Sequence, residues 1–117
     1  MTPAPTLLDT DVLSAIMRRE PVALVHARRY LAVHAQFTIS ALTRYEVLRG
    51  LKAKNAVAQL ARFEIFCAAL QVLPLTDAII VRAADIYADL HRRGELIGDA
   101  DILIAATALE HGFVLIN

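Results

Sequence analysis

The chain has 117 residues, and twelve Lys and Arg balance twelve Asp and Glu, so no all-over basic nucleic-acid binder is encoded. The single cysteine, Cys67, rules out an intrachain disulfide framework or a Cys-based zinc cluster, and no apolar stretch is long enough to span a bilayer. A hydrophobic content of 57%, largely Ala, Leu, Ile and Val, suits a compact α/β or helical domain, or one that buries a face against a partner. The start, MTPAPTLLDT, lacks the basic flank and long apolar core of a signal peptide, which points to a cytoplasmic protein.

In chain order, TLLD at 6–9 reads as a short buried strand that opens directly into a helix from about Asp11 to Arg19. Glu20-Pro21 breaks that helix, and PVALVHARRYLAVH starts a second with Pro21 in its favoured first turn. AQFTIS is the next strand. Ser40 then caps a helix through ALTRYEVLRG, which Gly50 ends or kinks. A helix over about 57–70 precedes a third strand, QVLPL. Thr76 and Asp77 start a long helix in which Ile80, Ala83, Tyr87 and Leu90 recur at helical spacing, and Gly94 ends it after basic residues that suit the helix dipole. GDADILIAATALEHG is the last helix and FVLIN the last strand. Strands separated by helices of this length predict a parallel sheet covered on both faces. With no repeat, linker or low-complexity segment, residues 1–117 read as one domain.

Sites in open parallel α/β sheets form outside the carboxyl ends of the strands. Asp9 stands at such an end, and Asp11 next to it is read as the cap of the first helix. Asp99 and Asp101 begin a helix that is apolar nearly all round, which places it at the centre of the domain. Asp99 is explained as a cap there, whereas Asp101, costly to bury alone, calls for a partner. Glu46 lies one turn into the helix after the second strand, where a surface pair with Arg44 or Arg49 is the plainer reading. Three strand-to-helix crossings thus deliver an acid to one edge of the sheet. Clustered carboxylates repel unless a cation holds them, and an all-oxygen site suits Mg²⁺ or Mn²⁺. The four His, on helices or at their ends, build no site by spacing, and no Ser-His-Asp or Cys-His arrangement is evident.

Two known patterns compete for these residues. Asp9-Thr10-Asp11 after an apolar strand resembles the first motif of haloacid-dehalogenase-like phosphatases. Leu13, however, stands where they have Thr or Val, Asp99 and Asp101 are too close for their late motif, and no Lys follows Lys54. LLDTDVLSAI, FTISALTRYEVLRGL and LHRRGELIGDADILIAATALEHGFVLIN, in this order and spacing, resemble a PIN-domain ribonuclease of the VapC toxin type from about residue 6 onward.

The resemblance implies a three-layer α/β/α PIN-like fold with a short central parallel sheet flanked by helices. It implies Asp9, Glu46 and Asp101 as metal-binding catalytic acids, Asp99 as a further ligand or outer cap, and Thr10 as holder of a water. The implied activity is Mg²⁺- or Mn²⁺-dependent hydrolysis of RNA to 5′-phosphate and 3′-hydroxyl ends. The implied partners are a VapB-type antitoxin and a second copy of the chain in a homodimer, which the surplus of apolar residues on the helices at 21–34 and 57–70 would serve. Arg18, Arg19, Arg92 and Arg93, at helix ends, are candidates for the RNA backbone. Family members continue past the last strand with a loop that often carries another Asp or Asn; this sequence ends at Asn117, which is expected to reach the site edge. The other function class is a PIN-like module that binds RNA or protein without cleaving it.

Overall fold

The computed structural model describes residues 4–116. Its elements are β1 (Thr6–Leu8), α1 (Thr10–Met17), α2 (Pro21–His34), β2 (Thr38–Ser40), α3 (Ala41–Ala53), α4 (Val57–Ala68), β3 (Gln71–Leu73), α5 (Asp77–Arg92), α6 (Asp99–His111) and β4 (Val114–Ile116). Every expected element is present in the expected order, each strand trimmed to three residues. The sheet is parallel throughout, in the order β3-β2-β1-β4.

Alternation along strands this short is enough to build two faces. Leu8 and Ile39 enter one core with Leu13 and Ile16 of α1, Ala27 of α2, Phe37 and Phe63 of α4. Leu7 and Leu73 enter the other, against Ile104 and Ala108 of α6. The opposite side of α6 packs Ile102 and Ala106 on Ile79 and Ala83 of α5. Helix α6 therefore lies between the sheet and α5, which is why its sequence is apolar on more than one side. Its left-handed C-cap, Gly112 at φ 68°, turns the chain back into β4.

The helix starts follow local chemistry. Pro21 occupies the first turn of α2. The Ser40 hydroxyl accepts from the Thr43 amide at 3.0 Å, and that of Thr76 from the Ile79 amide at 3.3 Å. Gly50 neither ends nor interrupts α3, which continues to Ala53: one glycine costs roughly 1 kcal/mol, and the packing of Val47, Leu48 and Leu51 on the core outweighs it.

Candidate active site

Because β1 and β2 are parallel, with Leu8 beside Ile39, the helices that follow them start at the same sheet edge. Asp9 itself begins α1: its Oδ1 accepts from the Val12 amide at 2.9 Å, and its own amide donates to the Ile116 carbonyl of β4 at 3.0 Å. The cap of α1 is thus Asp9, correcting the assignment to Asp11, which lies in the first turn. In α6 the cap is Gly98, without a side-chain bond, and Asp99 and Asp101 both lie in the first turn, so Asp99 is not the cap either. Asp101 is exposed rather than buried, because the sheet and α5 cover the body of α6 and leave its first turn at the rim; the burial cost argued for it does not arise.

Asp9, Asp11 and Asp101 line one cleft of about 490 Å³, walled by Ile97, Ile104, Ala105 and Leu115. No Lys or Arg lines it among the described residues. Asp9 is half-buried, and its burial raises the carboxyl pKa above the ordinary value; the charges of Asp11 and Asp101 push the same way, against the Val12 and Asp11 amides that favour the carboxylate.

Glu46 approaches by another route. The Thr10 hydroxyl, at the first position of α1, donates to Glu46 Oε1 at 2.8 Å, and Arg49 stands 3.7 Å from Oε2. The pair with Arg49 exists, then, but the stronger tie of Glu46 leads to Thr10, next to Asp9. Arg44 pairs with Glu64 instead, at 2.6 Å. Asp99, exposed on the first turn of α6, does not line the cleft. Asp11, read from sequence as structural, does; its spacing two residues from Asp9 across a strand–helix junction was the available signal.

The four arginines separate into two pairs. Arg18 and Arg19 follow α1 at the end remote from Asp9, about 13 Å along the axis at 1.5 Å per residue, and Arg18 is tied to Glu20 at 2.9 Å. Arg92 and Arg93 lie at the acid end. Arg82 of α5 bonds Glu110 of α6 at 2.9 Å, so the two helices run antiparallel and the end of α5 comes level with the start of α6. Arg93 is engaged by Asp89 and Glu95. Asn117 lies outside the described residues.

An oxygen-only donor set crowded with negative charge fits a hard divalent cation. Among the described residues no three His, Cys, Asp or Glu side chains converge into a ready-made cage. The fit is therefore to an open site with one or two carboxylate ligands and retained water, the mode Mg²⁺ favours.

A family model described as the PIN domain matches residues 6–117. This chain is a PIN-domain protein. The match also disposes of the phosphatase reading of Asp9-Thr10-Asp11. The VapC ribonuclease Y4jK of Sinorhizobium fredii is 33% identical over 116 residues, covering 93% of this chain and 83% of that protein. Ribonuclease VapC2 of Haemophilus influenzae is 28% identical over 112 residues, covering 95% and 83%. Among solved structures, DNA-bound VapBC from Salmonella typhimurium superposes with a TM-score of 0.80 at 27% identity, over 97% of this PIN domain and 85% of that chain.

Proposed function

We propose that this PIN domain is an endoribonuclease, the toxin of a toxin–antitoxin pair, and that it hydrolyses RNA phosphodiester bonds with Mg²⁺ or Mn²⁺. The observation that carries the reading is the convergence of Asp9 and Asp101, from opposite ends of the sequence, on one cleft at the carboxyl edge of the sheet, inside a fold shared with VapC ribonucleases.

Asp9 and Asp101 would hold the cation, with Asp11 in reach of the same cleft and Glu46 joined to it through Thr10. A bound divalent ion supplies water of lowered pKa and neutralises charge on the phosphoryl group. The chain's own part is positional. The α1 cap fixes the Asp9 carboxylate at the end of β1, the first turn of α6 presents Asp101 to the cleft, and Thr10 fixes the orientation of Glu46. Ile97, Ile104 and Leu115 give the cleft apolar walls beside the acids. In-line attack of water at phosphorus, with the P–O3′ bond breaking and the departing 3′-oxygen taking up a proton, leaves a 5′-phosphate and a 3′-hydroxyl.

A VapB-type antitoxin is the protein partner this assignment calls for. An apolar groove of about 530 Å³ between α1, α2 and the β1–β4 side of the sheet, with Val12, Ile16, Ala23 and Phe37 in its walls, suits an amphipathic segment of such a protein. Exposed Val22 and Val25 on α2, and Val57 and Ile65 on α4, leave apolar surface for a second copy as well. Among the described residues no helix is long and apolar enough to cross a membrane.

The test is cleavage of RNA with and without Mg²⁺ or Mn²⁺ by the unmutated chain, Asp9→Asn and Asp101→Asn. Metal-dependent products with 3′-hydroxyl ends from the unmutated chain alone are expected. RNA bound equally by all three and cut by none would establish the non-catalytic module instead.

A further inference from the structure

A second groove, of about 330 Å³, lies between α1, α3 and α4. Its polar groups are Ser14, Arg18, Lys54, Gln59 and Arg62, and no acid lines it among the described residues. In a chain without net charge, three cations on one groove are a local concentration. Arg18 is held by Glu20 from outside the groove. Lys54 and Arg62 are exposed and enter no ion pair among the described residues, so their charge is available to a ligand.

The groove lies along the same two helices whose first turns flank the acid site. Helices α1 and α3 start at the same sheet edge and are bridged by Thr10 and Glu46. Eight residues further along each, about 12 Å at 1.5 Å per residue, come Arg18 and Lys54, which face the groove together. This inter-helix furrow thus gathers its cations about 12 Å along the helices from the Thr10–Glu46 bridge, with Arg62 of α4 beside them.

We infer that this furrow takes the backbone phosphates of a single-stranded RNA a few nucleotides away from the phosphate held at the acid cleft. The identity of the polymer rests on the ribonuclease reading above. The cleft gathers negative charge and so repels phosphate until a cation is bound. Affinity for a long polyanion has to come from elsewhere, and Lys54 and Arg62 are placed to supply it by releasing counterions.

Binding is measured by fluorescence anisotropy in EDTA, so that no cleavage occurs, with the full chain and a labelled single-stranded RNA dodecamer. The double variant Lys54→Ala/Arg62→Ala is expected to weaken dodecamer binding about tenfold at low salt and to reduce the slope of log K against log salt by about 1.4, some 0.7 per cation. A charge-matched control on exposed cations of α2, Arg28→Ala/Arg29→Ala, is expected to leave the slope nearly unchanged, and Lys54→Arg alone to keep the slope of the unmutated chain. Both positions are exposed, and circular dichroism confirms the fold of the variants. An unchanged slope, or an equal loss for the groove variant and the α2 control, overturns the inference. So does a variant that binds RNA normally but loses a co-purifying protein partner, since the groove would then belong to that protein. Because binding is read without divalent metal, the inference stands or falls on the dodecamer whether or not the chain cleaves RNA.

Discussion

The junctions β1–α1 and β2–α3 solve the same local problem with different atoms. Each strand ends in an extended residue whose side chain accepts from the amide three positions on: Asp9 from Val12 at 2.9 Å, Ser40 from Thr43 at 3.0 Å. Ser40 is 1% exposed and uncharged. Asp9 is half-buried, charged, and shares a cleft with two more acids. A neutral hydroxyl is sufficient to cap a helix at this sheet edge. The negative charge at position 9 therefore exceeds what folding requires, and burial and the neighbouring charges make it unfavourable. A charge that the fold tolerates without needing it supports the role proposed for Asp9.

Substitutions can break that contrast. The largest effect is expected from Asp9→Asn, which keeps a good cap and removes the charge. Outer-shell changes at metal sites typically cost 10–100-fold, so on the proposed function, with Asp9 a direct ligand, RNA cleavage should fall by more than about 100-fold. Thermal melting without metal should show a midpoint equal to or above that of the unmutated chain; a marked fall would mean that the carboxylate is structural. Thr10→Val releases Glu46 while leaving Asp9 in place, and is expected to lower cleavage by about 10–100-fold with little change in melting. Ser40→Ala is the converse: about 1 kcal/mol of stability lost in denaturant unfolding, with activity per folded molecule unchanged.

The smallest effect is in pH dependence. A carboxyl whose pKa is raised by folding favours the folded state below its unfolded pKa, near 3.8, and that contribution is lost as pH rises through the folded value. The stability advantage of Asp9→Asn over the unmutated, metal-free chain is therefore expected above the folded pKa and should shrink as pH falls toward 3.8. A gap constant with pH would assign it to packing instead.

Much of this was legible in the residue order. The short apolar run of Leu7 and Leu8, the Pro21, Ser40 and Thr76 starts and Gly94 after the long helix all operate within a few residues, and they place the elements correctly. The roles of individual acids were less legible, because capping depends on which residue holds the extended backbone. That residue was Asp9, not Asp11, and Gly98, not Asp99. The tie of Glu46 to Thr10 joins residues 36 apart and could not be read from either alone.

By itself the sequence determined the alternation of strands and helices, and with it a parallel sheet whose carboxyl edge carries Asp9, since periodicity, caps and turns are short-range effects. Only the tertiary structure decided which acids meet. Packing α6 between the sheet and α5 brings Asp101 to Asp9 and Asp11, and the bridge from α1 to α3 turns Glu46 toward Thr10. Those encounters depend on the relative placement of whole helices, which is set by the buried apolar faces and not by the acids they carry.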